Sequence, residues 1–421
     1  EKEKEENMFS DNSETKKPPP NWCIVQEVIN RQIGSNPLFQ RRFYSSLHAV
    51  NRLQFKYKLY DLEGSTMDLS FNQKGNLLAR ASPKTVSIWD WAAKKKRCCF
   101  PSGHNSLRKA KWLPLDVENF MVTSGYDACI RLLDLEYNSS RQLMNYDSLF
   151  HPIPSMHQKD GWALAVHPEI PCIVFSALND SILSIDIRED TPKLLDIKSL
   201  RNSILRSIHC NPSNSNEFCV GGDFPCVRVY DQRNISKPLY QLWTTKYNRK
   251  YRPCATIAMY NHDGTEILTL CNHDEILLFD KSMWSCEGDS NHILYERSQF
   301  SSVPVMSQLC VVIAVLYGIN FFGPKSEFII STSYYGDIFI YDKKKKTAAQ
   351  WLMKDYKFVN HHCLGHPHIP ILATARKSNV LIWMPSSNQD PTESTFKTVC
   401  IDQNYLCVFF LHFFFLFNHI F

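Results

Sequence analysis

Glycine is scarce in this chain, with 14 among 421 residues, where ~7% is usual. Tight turns that need a left-handed residue must therefore be carried partly by other side chains. Glycine-rich phosphate cradles are missing too. No Gly-x-x-x-x-Gly-Lys run and no dinucleotide fingerprint occurs, which excludes the two common nucleotide-binding loops. No Gly-x-Ser-x-Gly and no His-Glu-x-x-His occurs, so the usual signatures of a serine hydrolase and a zinc protease are absent. The 15 cysteines include no Cys-x-x-Cys pair. They scatter through apolar runs and read as buried, reduced thiols. No enzyme class is supported, and no cofactor is expected.

Charge is nearly balanced, 47 basic against 42 acidic residues, a net of +5. That does not point to nucleic acid, and none is expected. The chain begins at Glu1 and reads as a fragment. Glu1–Lys17 is charged and low in complexity, without the apolar stretch of a signal peptide. Pro18–Pro20 follow as a stiff boundary. Residues 1–50 are thus expected to form a charged, partly disordered N-terminal segment.

What is present is a repeat. A run of alternating apolar residues ending in an aromatic or aliphatic residue and then Asp recurs at Ile88-Trp89-Asp90, Leu132-Leu133-Asp134, Ser184-Ile185-Asp186, Val229-Tyr230-Asp231, Leu278-Phe279-Asp280 and Ile340-Tyr341-Asp342. A seventh copy, Ile382-Trp383-Met384, lacks the Asp. The steps are 44, 52, 45, 49, 62 and 42 residues, and a four-stranded propeller blade takes ~40–45. A second apolar run precedes each copy by 14 or 15 residues, starting at Asn76, Asn119, Pro171, Glu217, Glu266, Glu327 and Pro370. Turn residues Gly75, Pro114, Pro168, Pro212, Gly264, Pro324 and Pro367 set off a third strand before that. Asp127, Asp180, Asp223, Asp274 and Asp337 mark the tight turn before the Asp-ended strand.

These units predict an all-β fold, a seven-bladed WD-repeat β-propeller, over residues 51–386. Arg52–Tyr60 alternates apolar and polar residues with a period of two, as a half-buried strand does. It has no blade of its own, and the seventh blade lacks an outer strand. Pairing the two predicts a ring closed by an N-terminal strand, with no open edge.

Two stretches fall outside the repeat. Residues 282–316 read as an insertion between blades five and six. The run Leu309–Ile319 that it enters is too short to cross a bilayer. Residues 387–421 form a tail whose Tyr405–Phe421 portion is rich in phenylalanine but interrupted by His412, Asn418 and His419. It reads as translated non-coding sequence rather than an anchor, so membrane attachment is not expected. The cluster His361, His362, His366 and His368 reads as a turn, because Gly365 and Pro367 break the strand there. Lys94–Arg97 and Lys343–Lys346 both follow an Asp-ended strand and are expected in solvated loops on one rim.

One motif speaks to function. Blade three ends Asp186-Ile187-Arg188 and blade four Tyr230-Asp231-Gln232-Arg233. An Arg two residues past the Asp lies just outside the strand, on the same rim in neighbouring blades. Two guanidinium groups on a rigid rim suit the carboxylates or carbonyls of a protein partner. The alternative is that each Arg serves only its own Asp.

These paired ends resemble the box of WD-repeat substrate receptors of cullin-4 RING ubiquitin ligases. Over roughly Pro20–Pro385 the chain is similar to the cullin-4-associated factor 8 family. The similarity rests on Phe71–Gly75, Trp89-Asp90-Trp91, Ser102-Gly103-His104, Val220-Gly221-Gly222, Arg228–Arg233, His262–Glu266, Gly323–Phe328 and His366–Pro370. The Glu63–Thr66 segment lacks the family's Gly-His. The resemblance implies that Arg188 and Arg233 dock the damaged-DNA-binding adaptor, with Asp186 and Asp231 holding their turns and Tyr230 beside them. It implies protein substrates taken at the opposite face or the central opening, and a location in nucleus and cytoplasm. The rival expectation is a WD-repeat scaffold without any ligase.

Overall fold

The computed structural model describes Ile29 and residues 43–386, apart from 116–117, 128, 146–162, 179–180, 190–191, 196–203, 245–253, 272–274, 285–296, 302–315, 334–336 and 353–359. Glu1–Lys17, Pro18–Pro20, Asp180, Asp274 and the tail 387–421 lie outside the described residues. The chain divides into two units, Glu1–Phe43 and Tyr44–Phe421. The second holds all the strands described.

The strands form seven antiparallel blades. Blade one runs Asp68–Phe71, Leu77–Ala81, Thr85–Asp90 and Lys95–Pro101. Blade two runs Leu107–Trp112, Phe120–Gly125, Cys129–Asp134 and Ser139–Asn145, and blade three Ala163–Val166, Ile173–Leu178, Ser181–Asp186 and Lys193–Leu195. Blade four has Leu205–Cys210, Glu217–Gly222, Cys226–Asp231 and Tyr240–Trp243. Blade five has Ala255–Tyr260, Glu266–Cys271, Glu275–Asp280 and Arg297–Ser301. Blade six has Leu316–Phe322, Phe328–Ser333, Ile338–Asp342 and Thr347–Leu352. A bridge between Gly222 and Ala255 joins blades four and five into one continuous sheet.

Blade seven contributes Asn360–Gly365, Leu372–Arg376 and Asn379–Pro385, and its outer strand is Leu53–Leu59. Leu53 lies opposite Pro385 and Leu59 opposite Val380. This is the closure that the alternation over Arg52–Tyr60 predicts. Leu53 and Leu59 are buried while Lys56 is exposed, and Phe55 meets Trp383 edge to face at 5.9 Å.

The core is divided by blade. Seven apolar clusters each fill one junction between neighbouring blades. The one at blades seven and one sets Val380 and Ile382 against Leu78 and Trp89 and completes the ring. Burying those faces is the main stabilising contribution, at ~25 cal/mol per Å² of apolar surface.

Three expectations change. The N-terminal segment ends before residue 50. Ser46 caps a short helix, Leu47–Asn51, whose Val50 is fully buried at the junction of blades six and seven. Residues 44–50 thus belong to the propeller unit, because their apolar side chains complete that junction. The stretch 282–316 is not wholly an insertion: Arg297–Ser301 within it pairs with Glu275–Phe279 as the outer strand of blade five. The Leu309–Ile319 run ends inside the inner strand of blade six. Among the described residues, no helix is long and apolar enough to cross a membrane.

Scarce glycine is met as the composition requires. Lys94, Glu118, Asn138, Ser326, Lys346 and Lys377 take left-handed conformations with φ between 49° and 57°.

Candidate protein-docking face

The first and third strands of an antiparallel blade run in the same direction. The turns after the inner strands and after the Asp-ended strands therefore share one face of the disc. In each Asp-ended strand of blades one to six, the Asp carboxylate accepts from backbone N–H groups two or three residues on. This Asx arrangement fixes the turn. Asp186 and Asp231, which the family resemblance casts as turn-holding residues, are two of these six.

In blades three and four the turn also carries Arg, and the two sites match. Arg188 donates from Nε to Asp186 Oδ1 at 2.9 Å and from Nη2 to Oδ2 at 2.7 Å, while its backbone N–H reaches Oδ1 at 3.0 Å. For Arg233 and Asp231 the corresponding distances are 3.1, 2.7 and 2.9 Å. The guanidinium groups remain 65% and 69% exposed, while their carboxylates are 15% and 16% exposed. The fork from Arg188 holds the Asp186 carboxyl at about 2. Arg233 lowers Asp231 in the same way. In both turns the fork favours the ionised carboxylate.

Pairing with its own Asp does not exhaust either Arg. A guanidinium has five N–H donors in a planar fork. Nε and one Nη2 hydrogen serve the Asp, which leaves three facing outward. The Asp thus orients the cation without covering it. Arg141, on the outer strand of blade two, donates to the Ile187 carbonyl between Asp186 and Arg188. It ties blade two to the blade-three turn.

Tyr230 does not belong to this face. It is fully buried and stacks on Phe218 at 5.7 Å, in the cluster between blades three and four. Strand alternation sends its ring into the core, so it contributes packing and not a partner contact.

The basic runs divide by position. Lys94 occupies the turn, 4.6 Å over the Tyr57 ring, but Lys95–Arg97 already belong to the outer strand of blade one. Arg97 pairs with Asp90 at 2.8 Å and Lys96 with Asp61 at 3.0 Å. Lys343, directly after Asp342, reaches back to Glu266 of blade five. Lys281, directly after Asp280, reaches back to Glu217 of blade four at 2.8 Å. These two lysines staple neighbouring blades on the docking face. Pairs separated by so many residues leave no local signal in the sequence.

The histidine cluster is structural where it is described. His366 Nδ1 accepts from the N–H groups of His368 and Ile369, and Nε2 donates to the Gly75 carbonyl at 2.8 Å. His368 Nε2 donates to the Gln73 carbonyl at 2.8 Å. Trp91 Nε1 also reaches Gly75 O, at 2.7 Å. The Gly-His of blade two behaves likewise: His104 bridges Asp127 at 2.9 Å and Thr123 at 3.0 Å.

Blade one holds a group that sequence reading missed. Arg80, in the second strand, is fully buried and pairs with Asp61 at 3.0 Å. It donates to Thr66 Oγ1 at 2.9 Å and to the Gly64 carbonyl. It occupies the ground where the segment lacks Gly-His. A charged residue in the middle of the apolar run LLARA is the signal that could have found it.

No protein-family model matches the chain. WD and tetratricopeptide repeats protein 1 of Homo sapiens is 24% identical over 301 residues, covering 61% of this chain and 43% of that protein. WD repeat protein iqw1 of Schizosaccharomyces pombe is 24% identical, covering 61% of this chain and 33% of that protein. DNA damage-binding protein 2 of Oryza sativa is 21% identical, covering 76% of this chain and 54% of that protein. The chain thus spans between a third and about half of the length of these relatives. Among solved structures, the β-propeller domain of Cps50 (Swd1) from Myceliophteria thermophila superposes with a TM-score of 0.62 at 15% identity. That match covers 79% of this chain and all of the other, and it shows the fold. With seven four-stranded blades, Asx-held Asp turns and these similarities, the chain has a WD-repeat β-propeller fold.

Proposed function

We propose that this propeller is a substrate-recognition subunit of a cullin-4 RING ubiquitin ligase. Arg188 and Arg233 dock the damaged-DNA-binding adaptor, and the protein brings substrates to the ligase in nucleus and cytoplasm. The observation that carries this reading is the duplication of one geometry. Two adjacent blades present the same Asp-held, outward-facing guanidinium on the same face. Folding does not need either Arg to stay exposed, whereas a partner does. The relatives support the reading at the level of WD-repeat proteins, one of them named for binding damaged DNA. The propeller itself performs no chemistry in this reading, since ubiquitin transfer belongs to the RING module and its conjugating enzyme.

The test is co-purification of the adaptor with the Arg188→Ala, Arg233→Ala double variant. Loss of a charged hydrogen-bonding anchor at an interface weakens binding by about tenfold or more. The melting temperature should not move. Undiminished adaptor recovery with the double variant would exclude this docking mode.

A further inference from the structure

The turn after the Asp-ended strand has four residues in blades one, two and six, but eight, residues 232–239, in blade four. The extra length lies directly after Arg233. Asn234 donates its backbone N–H to the Asp231 carbonyl at 3.0 Å, which folds the chain back over the Asp-x-Arg turn. Ile235 then packs onto the cluster between blades three and four. Leu239 rejoins the sheet through the Val229 carbonyl at 2.7 Å. With Ile235 turned inward, Asn234, Ser236 and Lys237 are exposed. The loop is thus anchored at both ends and in the middle, and it presents one side-chain hydroxyl to solvent, that of Ser236.

Little holds that hydroxyl. It donates to Asn234 Oδ1 at 2.8 Å, a bond between two exposed side chains. Replacing its hydrogen leaves no buried group unpaired, so the fold does not oppose modification. The surroundings favour one modification in particular. Arg233 stands three residues before Ser236. That is where the acidic subsites of arginine-directed protein kinases take a guanidinium. The sequence repeats the spacing after Arg188, with Thr191 three residues on. Thr191 lies outside the described residues and is not part of the site.

We propose that Ser236 is a phosphorylation site of an arginine-directed protein kinase, and that its phosphate switches off docking through Arg233. Ser236 Oγ attacks the terminal phosphorus of a nucleoside triphosphate held by the kinase. The Oγ–P bond forms, the bond from that phosphorus to the bridging oxygen breaks, and the nucleoside diphosphate leaves. The hydroxyl proton passes to the base of the kinase. The product carries about −1.5 to −2 charges at neutral pH and three acceptor oxygens. Those oxygens take the outward N–H groups of Arg233, with Lys237 alongside, so a partner no longer finds them. The added charge also repels carboxylates that approach the rim. This rests on the docking role of Arg233 proposed above and supplies its control.

Treatment of the full chain with ATP and the catalytic subunit of the cyclic-AMP-dependent protein kinase tests it. Phosphosites are mapped by mass spectrometry, and adaptor affinity is measured before and after. The expected result is phosphate on Ser236 of the folded chain, adaptor binding weaker by about tenfold or more, and an unchanged melting temperature. Kinase-treated Ser236→Ala should bind the adaptor like the untreated parent, which removes the effect of any other site. Arg233→Ala should lose most of the phosphate on Ser236. Absence of phosphate on Ser236, or phosphate there that survives Arg233→Ala, would overturn the inference. So would a phosphorylated chain that binds as tightly as the unmodified one while the Arg188→Ala, Arg233→Ala variant does not. Full binding by that double variant would instead remove the docking reading itself, and it shows without any kinase.

Discussion

His366 in blade seven donates from Nε2 to the carbonyl of Gly75 in blade one, at 2.8 Å, while its Nδ1 accepts from two backbone N–H groups of its own turn. The ring is thus locked in one neutral tautomer at the seam where the propeller closes. A second proton would have to enter at Nδ1, against two N–H dipoles. Burial keeps the imidazole down at about 4, from an ordinary 6.5.

Acid sensitivity follows with a definite sign. A histidine whose folded value is depressed takes up its proton on unfolding, so stability is complete above pH 6.5 and is lost as pH falls towards about 4. His209 acts in the same direction. Asn211 occupies the corresponding place in blade four, and its Oδ1 accepts from Ser213 and Asn214. His366→Asn should therefore preserve the turn while removing one acid-labile group. The expected cost at neutral pH is ~1 kcal/mol for the lost seam bond, and the melting temperature should fall less steeply below pH 6.5. Thermal unfolding across that range checks it. An unchanged pH slope would show that His366 does not carry the dependence.

The buried pair of Arg80 and Asp61 predicts an asymmetry. Arg80→Met alone leaves a carboxylate that is 2% exposed with Lys96 as its remaining ion-pair partner, and breaking such a buried pair costs up to ~3–5 kcal/mol. Adding Asp61→Leu removes the stranded charge and should recover much of the loss. Urea unfolding midpoints of the single and double variants measure this coupling. Equal midpoints would mean that Lys96 compensates Asp61 by itself.

The two Asp-x-Arg turns predict that orientation, not charge alone, makes the contact. Asp186→Ala with Asp231→Ala leaves both cations in place but frees them to rotate. Adaptor binding should weaken measurably, though less than when both arginines are removed, with only a small change in melting temperature. Tyr230→Ala should behave in the opposite way. It empties a fully buried aromatic site and should cost ~3–5 kcal/mol of stability. Adaptor binding titrations alongside melting curves separate the two behaviours.

Scarce glycine leaves room for stabilisation. Lys346 sits at φ 54°, with an exposed side chain and a backbone bond to the Asp342 carbonyl at 2.8 Å. The left-handed conformation costs an ordinary residue ~1–2 kcal/mol, against ~0.5–1 kcal/mol of extra entropy for glycine. Lys346→Gly should raise stability by roughly 0.5–1 kcal/mol, read as a higher urea midpoint. A lower midpoint would show that the side chain contributes a contact of its own.

The blades were legible because their inner layers are apolar on both faces. The second strands begin within two residues of the positions read from sequence, and in blades one to six the third strands end on the expected Asp. Outer strands meet solvent and keep no such pattern. Arg297–Ser301 therefore passed for part of an insertion. The arginine pair was legible as well, because an Arg two residues past the Asp must leave the strand. Tyr230 adjoins Asp231 in sequence, which suggests membership in the face, but its ring is buried between blades three and four. Strand alternation sends it into the core.

Closure by the Leu53–Leu59 strand also has a meaning in time. This strand is made before its partner, Asn379–Pro385, with the other six blades between them in the chain. Until then the nascent protein is an open arc with two unpaired edges, the kind of surface that invites wrong pairing. Only a chain extended through Pro385 can shut the ring. A chain that lacks Asn379–Pro385 has no partner for Leu53–Leu59, and that strand's edge stays open to wrong pairing.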